Sequence, residues 1–265
     1  MNLHKCFAIN NNCYKAGKKM IPLGIMVHST GANNPKLSRY VQPDDGLLGA
    51  NPYNNHFNIP KPDNRSVCVH AFIGKLKDGS IATYQIMPWN MQAWHSGGSA
   101  NKNYIGFEIC EDDLKDAEYF GRVYTEAVEL CAYLCREYGL SEKNILCHSE
   151  GYKKGIASNH GDVLHWFPKF GKSMDSFRAD VKAALGRGQT AAGSSKAEQA
   201  EHVPLPYVVR ITADSLNVRA GAGVHFTIKT SVKRGEAYTI TAVKNGWGKL
   251  KSGAGWIKLS YTEKV

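Results

Sequence analysis

The segment GRGQTAAGSSKAEQAEHVP, Gly186–Pro204, is the feature that most constrains how this chain folds. It contains no aromatic residue, and Val203 is its only large aliphatic. A stretch that small and polar buries too little apolar surface to offset the entropy of ordering it, so it reads as a flexible linker. As a random coil it spans about 25 Å. Two folding units are therefore expected, residues 1–185 and 205–265. The hydrophobic content of the 265 residues, 43%, is enough for real cores.

Upstream of the linker, strand and helix signals alternate. IPLGIMVHST is a short apolar run, read as a buried strand ending at His28. VCVHAFIGKLKDGSIATYQIM reads as two strands around a Lys77-Asp78-Gly79 turn, and NYIGFEIC as another strand. AEYFGRVYTEAVELCAYLCREYGL places Phe120, Val123, Tyr124, Ala127, Leu130, Cys131, Leu134 and Tyr138 at helical spacing, with Gly139 as C-cap. KNILCHS is a further strand ending near His148, and SMDSFRADVKAALG a final helix. The fold class predicted for this unit is α/β with a central sheet. Downstream of the linker the runs are short, β-rich and split by Gly, Asn and Asp turns, with no helical period. About sixty such residues predict a small all-β barrel.

The chain carries a formal charge of +10. Residues 205–265 account for most of it, with ten Lys and Arg against three Asp and Glu. A basic module of this kind suits an anionic partner: nucleic acid, a membrane surface or an anionic wall polymer. No run of about 18 apolar residues occurs, so no membrane insertion is expected. The N-terminus is polar and has no apolar h-region, which argues against a secretory signal and for synthesis in the cytoplasm. Seven cysteines at irregular spacing make a poor disulfide framework and suggest reduced thiols. Cys131 and Cys135 share a helix face. That spacing suits a pair of metal ligands, but it lies in an apolar stripe where Cys is an ordinary core residue.

Histidine is concentrated in CHSEGYKKGIASNHGDVLHW, Cys147–Trp166, which holds three of the ten together with Glu150 and Asp162. His28 and His148 each follow an apolar strand, and strand ends are where α/β folds place ligands. A catalytic zinc takes three protein ligands from His, Asp, Glu or Cys. His28, His148 and one residue of NHGDVLHW can supply them, although unrelated histidines also fall at strand ends.

Five phrases occur in one order: MVHSTGAN, HAFIGKLKDGSIATYQIMP, AWHSGG, NYIGFEI and CHSE. Over about residues 20–180 the chain resembles the zinc N-acetylmuramoyl-L-alanine amidases of the amidase-2 and peptidoglycan-recognition-protein family. The resemblance implies an amidase-2 fold, a central mixed β-sheet flanked by helices. It also implies a Zn2+-activated water that cleaves the amide between N-acetylmuramic acid and L-alanine in bacterial peptidoglycan. His28 and His148 match the first two zinc ligands. In NHGDVLHW the family's Pro-Gly is missing. Asp162 takes the third ligand place and His160 the place of a catalytic Lys, with His160 as the competing ligand. Glu108 matches a catalytic acid/base; the alternative is a carboxylate that only fixes a loop. Val69 stands where some members carry a catalytic Tyr. Trp94 and His95 are candidates for binding glycan or stem peptide, and equally for packing. His70 matches a recurrent family position, and His165 beside Trp166 reads as structural. His4, His56, His202 and His225 have no supporting context.

SLNVRAGAGVHFTIKTSVKRGEAYTIT and GAGWIKL resemble a bacterial SH3 domain, which implies a wall-peptide ligand for residues 205–265. An RNA-binding basic barrel is the competing reading, and no nucleic acid is expected. Catalytic unit, linker and wall-binding barrel together imply a phage-type endolysin, made in the host cytoplasm and released when a holin opens the membrane. A host autolysin and a non-catalytic peptidoglycan sensor are the alternatives.

Overall fold

The computed structural model describes residues 1–190, 205–223, 226–244 and 246–265. The chain divides into two compact units, one formed by residues 1–135 and 140–186, the other holding the C-terminal β-rich segment.

The first unit is built on β1 (Leu3–Lys5), α1 (Asn12–Ala16), β2 (Gly24–Asn33), β3 (Ala71–Lys75), β4 (Ile81–Gln85), β5 (Tyr104–Glu111), α2 (Ala117–Tyr138), β6 (Ile145–Cys147), α3 (His148–Lys153) and α4 (Met174–Thr190). Its six strands form one mixed sheet in the order β1-β4-β3-β5-β2-β6. The β3–β4 hairpin is antiparallel, while β5 pairs in parallel with β3 and β2, and β2 in parallel with β6. In β2 the residues Ile25, Met26 and Val27 are completely buried. A central strand flanked on both edges and covered on both faces requires such an unbroken apolar run.

β2 continues past His28 to Asn33, because Ser29–Asn33 goes on pairing with β5 after a shift in register. The expected strand end at His28 is thus the end of the buried apolar run rather than of the strand. β1 pairs along β4 at the sheet edge; the three residues LHK carry no apolar pattern to announce it. The inner stripe of α2 buries Phe120, Val123, Ala127, Leu130, Cys131, Leu134 and Cys135. Each large apolar side chain taken from water there contributes on the order of 1.5–3 kcal/mol. Phe120 stacks on Phe170 and meets the edges of Trp166 and Phe167, and Tyr124 packs against Phe177 of α4. These aromatics tie residues 163–170 to the helices, and Asp162 lies directly before them.

α4 extends to Thr190, five residues into the segment expected to be linker. Gly186 and Gly188 each cost a helix only about 1 kcal/mol, and an established helix adds a hydrogen bond for each further residue. The remainder of the expected linker, residues 191–204, lies outside the described residues, as does His202.

The second unit contains β7 (Tyr207–Ile211), β8 (Ser215–Arg219), β9 (Ile228–Lys233), β10 (Ala237–Lys244), β11 (Trp247–Leu250), β12 (Trp256–Lys258) and β13 (Thr262–Lys264). They form one antiparallel sheet in the order β13-β7-β10-β11-β12-β8-β9. Val209, Ile211, Leu216, Val218, Val232, Ile240, Leu250 and Ile257 form its core. His225 lies outside the described residues. Among the described residues no helix is long and apolar enough to cross a membrane.

Candidate metal centre

His28 and Glu108 are register partners on the parallel strands β2 and β5, which sets an imidazole beside a carboxylate in the middle of the sheet. The neighbouring strand β6 ends at Cys147, and His148 opens α3. That helix start is braced from two sides. The Glu150 carboxylate accepts from the Cys147 backbone N–H at 3.1 Å and is gripped by both terminal nitrogens of Arg178 at 2.9 Å. The Ser149 N–H donates to the Asp162 carbonyl at 3.2 Å, which ties the loop carrying Asp162 to the residue after His148. Glu150 is therefore a capping and ion-pair residue, despite its place in the histidine-rich segment.

Three donors converge. His28 Nδ1 lies 3.0 Å from Asp162 Oδ2 and 3.1 Å from His148 Nδ1, and His148 Nδ1 lies 3.7 Å from Asp162 Oδ2. Both imidazoles are buried, and the Asp162 side chain is mostly so. Among the described residues this is the group of His, Cys, Asp or Glu side chains arranged to hold an ion. Tetrahedral ligands about 2.0–2.1 Å from a zinc ion stand about 3.3 Å from one another, and two imidazoles with one carboxylate suit zinc. The donor set therefore fits that metal. Cys131 and Cys135 sit inside the α2 core, away from this group.

Each group titrates according to its surroundings. Burial alone would lower the His28 pKa, but the hydrogen bond to Asp162 and the charges of Glu108 and Asp162 raise it above its ordinary value. Burial and the His28 charge push His148 down to about 4. Burial works against an ionised Asp162, yet the His28 hydrogen bond and charge hold its carboxyl below the usual range. Glu108 is raised to about 7, chiefly by burial. Its Oε2 is buried without a hydrogen-bond partner, an arrangement that costs free energy unless something else meets the atom.

The remaining candidates separate clearly. His160 is exposed, its Nδ1 is 3.0 Å from Ser158 Oγ, and its ring centroid is 4.6 Å from that of His148. His95 has no free ring nitrogen: Nδ1 lies 2.9 Å from His28 Nε2, and Nε2 lies 3.1 Å from the Tyr104 carbonyl. Burial and the neighbouring histidines His28 and His70 keep its pKa well below the ordinary value. Trp94 is 54% exposed and lines an open groove of about 590 Å³ with Asn12, Lys18, Ser66 and Lys102. His70 accepts from the Gly106 N–H and reaches the Met91 carbonyl at 2.8 Å, bracing β3, β5 and the loop after β4. Burial pushes its pKa down to about 4. His165 Nε2 bonds Glu111 Oε1 at 2.8 Å, beside the fully buried Trp166. His4 stacks on Tyr84, and His56 accepts from the Asn58 N–H.

Ser158 is absent from the candidates read from sequence, yet its hydroxyl lies 3.2 Å from His148 Nε2. A single Ser in the polar loop IASNHG has no period or motif to mark it.

Residues 18–162, more than half of the chain, match the model of the N-acetylmuramoyl-L-alanine amidase family. The chain is 29% identical over 142 residues to N-acetylmuramoyl-L-alanine amidase XlyA of Bacillus subtilis strain 168, a match covering 51% of this chain and 39% of the relative. It is 26% identical over 157 residues to a probable N-acetylmuramoyl-L-alanine amidase of Bacillus licheniformis, covering 55% of this chain and 40% of the relative. The matches thus span about two fifths of the length of these curated relatives. The solved catalytic domain of XlyA superposes with a TM-score of 0.45 at 26% identity, covering 68% of this chain and 99% of that one. On the match over residues 18–162, the chain belongs to the N-acetylmuramoyl-L-alanine amidase family.

Proposed function

We propose that this chain is a zinc-dependent peptidoglycan amidase that hydrolyses the bond between N-acetylmuramic acid and the L-alanine of the stem peptide. The observation that carries the reading is the convergence of His28 Nδ1, His148 Nδ1 and Asp162 Oδ2 inside a family-matched domain. These three residues hold the metal. The Lewis acidity supplied by bound zinc brings the pKa of water toward neutrality and polarises a carbonyl.

Glu108 is the acid/base. Its carboxylate takes the proton of the attacking water and passes it to the departing L-alanine amine, which leaves neutral. A carboxyl with a pKa near 7 suits both halves of that task, and its unpaired Oε2 is available for it. His160 is held through Nδ1 by Ser158. Its ring hydrogen-bonds the carbonyl oxygen as the amide becomes tetrahedral. Trp94, exposed on its groove, offers an aromatic face to sugar or peptide.

The C-terminal antiparallel unit is read as an SH3-like barrel that binds wall peptide or anionic wall polymer and keeps the catalytic unit near its substrate. Its ten basic against three acidic residues favour an anionic wall. The protein then acts at the cell wall as an endolysin, released from the cytoplasm where it is made.

The test is product analysis on purified Gram-positive walls with the full chain. New L-alanine amino termini without new reducing ends, lost on chelation and restored by zinc, are expected. Wall binding without release of any product would make the chain a peptidoglycan-recognition protein instead.

A further inference from the structure

Both imidazoles of the donor set present Nδ1 to the shared point, so in each the metal-facing lone pair depends on where the Nε2 proton goes. The structure supplies a partner for each Nε2, and each chain of hydrogen bonds ends on a main-chain carbonyl. His28 Nε2 lies 2.9 Å from His95 Nδ1, and His95 Nε2 lies 3.1 Å from the Tyr104 carbonyl oxygen. A carbonyl only accepts, so His95 carries its proton on Nε2. In the tautomer that the Tyr104 carbonyl selects, His95 Nδ1 accepts and His28 is the donor from Nε2. On the other side, His148 Nε2 lies 3.2 Å from Ser158 Oγ, and Ser158 Oγ donates to the Ser96 carbonyl at 3.1 Å. A hydroxyl has one proton. With that proton committed to Ser96, Ser158 accepts from His148 Nε2.

We propose that His95 and Ser158 are positioning residues that fix both histidine ligands as Nε2–H tautomers, through two relays ending on the Tyr104 and Ser96 carbonyls. The inference rests on the metal reading of His28, His148 and Asp162, and adds to it two residues that contact neither metal nor substrate. His95, a candidate for binding glycan or stem peptide and equally for packing, thereby takes a role beside the ligand His28.

The surrounding backbone is shaped for these relays. A Cβ on Gly106 of β5 would lie 2.4 Å from His95 Nδ1, so the ring can rest on the strand only because residue 106 is glycine. Gly97 has φ +63°, and a Cβ there would lie 2.6 Å from Ser158 Oγ. The two loops are pinned together by Ser158 N–H donating to Ser96 O at 2.8 Å and Ala100 N–H to Ile156 O at 3.0 Å. Ser96, which ends one relay, is adjacent to His95, which forms the other, so one short segment orients both ligands. Partners of this kind fix ring orientation, and losing one typically weakens metal binding about 10–100-fold.

The experiment measures zinc affinity of the full chain by competition with a chromophoric chelator, alongside thermal melting of the zinc-free protein. Ser158→Ala and His95→Leu are expected to weaken zinc binding about 10–100-fold. Ser158→Thr, which keeps the hydroxyl, and His95→Gln, which keeps one donor and one acceptor, are expected to restore most of the loss. Gly106→Ala, which displaces the His95 ring without changing its chemistry, should reproduce the His95→Leu loss; it and Ser158→Ala decide the matter if His95→Leu does not fold. Affinities within twofold of the native chain for Ser158→Ala and Gly106→Ala, with Asp162→Ala unable to bind, would overturn the proposal. So would variants whose zinc-free melting drops while zinc affinity is unchanged, since that is a purely structural role. If the native chain and Asp162→Ala bind zinc equally poorly, it is the metal reading that fails.

Discussion

His28 Nδ1 and His148 Nδ1 face each other across 3.1 Å, with room for one proton between them. Without a metal, His28 holds that proton: Asp162 and Glu108 raise its pKa, while His148 is pushed down to about 4. Zinc uptake must displace it. Apparent zinc affinity is therefore expected to fall about tenfold per pH unit once the pH drops below the His28 pKa. Titration calorimetry in buffers of differing ionisation enthalpy should register about one proton released per zinc. An affinity that stays constant from about pH 8 to 5 would contradict this arrangement.

Glu108 has the complementary dependence. As a base it must be ionised, so turnover rises with pH through its pKa. A nearby bound cation favours the carboxylate, placing this acid limb at or below the value of about 7 set by burial in the metal-free protein. Glu108→Gln is expected to lower kcat about 10²–10⁴-fold and to leave zinc content intact. Retained turnover with an unchanged acid limb would assign Glu108 to loop fixation alone.

Asp162 and His160 lie two residues apart and should fail differently. Asp162→Ala removes one of three donors, so bound zinc and activity disappear together. His160→Ala leaves the donor triangle whole. It is expected to retain stoichiometric zinc while losing about 10²-fold in turnover, as removal of one transition-state donor does. Metal analysis of the two purified variants separates the roles, and zinc loss in His160→Ala alone would exchange them.

Asp162 was reached only through the family resemblance, with His160 as the competing ligand, whereas His28 and His148 were legible because they follow apolar runs. The sheet was legible for the same reason, since Ile25–Val27 and the β5 residues Ile105, Phe107 and Ile109 are apolar runs or alternations. What stayed hidden depends on contacts across long sequence separations. The proton relays join His95 to His28 and Ser158 to Ser96, pairs separated by 67 and 62 residues. No local pattern distinguishes Ser158 from the other serines. β1 is three residues with no alternation, and the extension of α4 to Thr190 runs against composition.

His70 gives the acid response of the catalytic unit. It is fully buried and neutral, accepting from Gly106 N–H and donating to the Met91 carbonyl. Its folded pKa of about 4 lies below the ordinary value of 6.5. Between these values the unfolded chain binds a proton that the folded chain does not. Stability from His70 is therefore present above about 6.5 and lost as pH falls toward 4, by about 3 kcal/mol in full. His148 acts in the same direction. Glu108 acts in the opposite one, because its raised pKa adds stability below 4.5 that disappears as pH rises through about 7. The wild-type curve is the sum of these, so the informative quantity is a difference. His70→Gln cannot protonate. It should melt lower than the native chain near neutral pH, where a buried hydrogen-bonded pair is disturbed, and the gap should close as pH falls to about 4. Melting of the chelated protein across that range is the measurement. A gap independent of pH would mean that His70 titrates alike in the folded and unfolded chain.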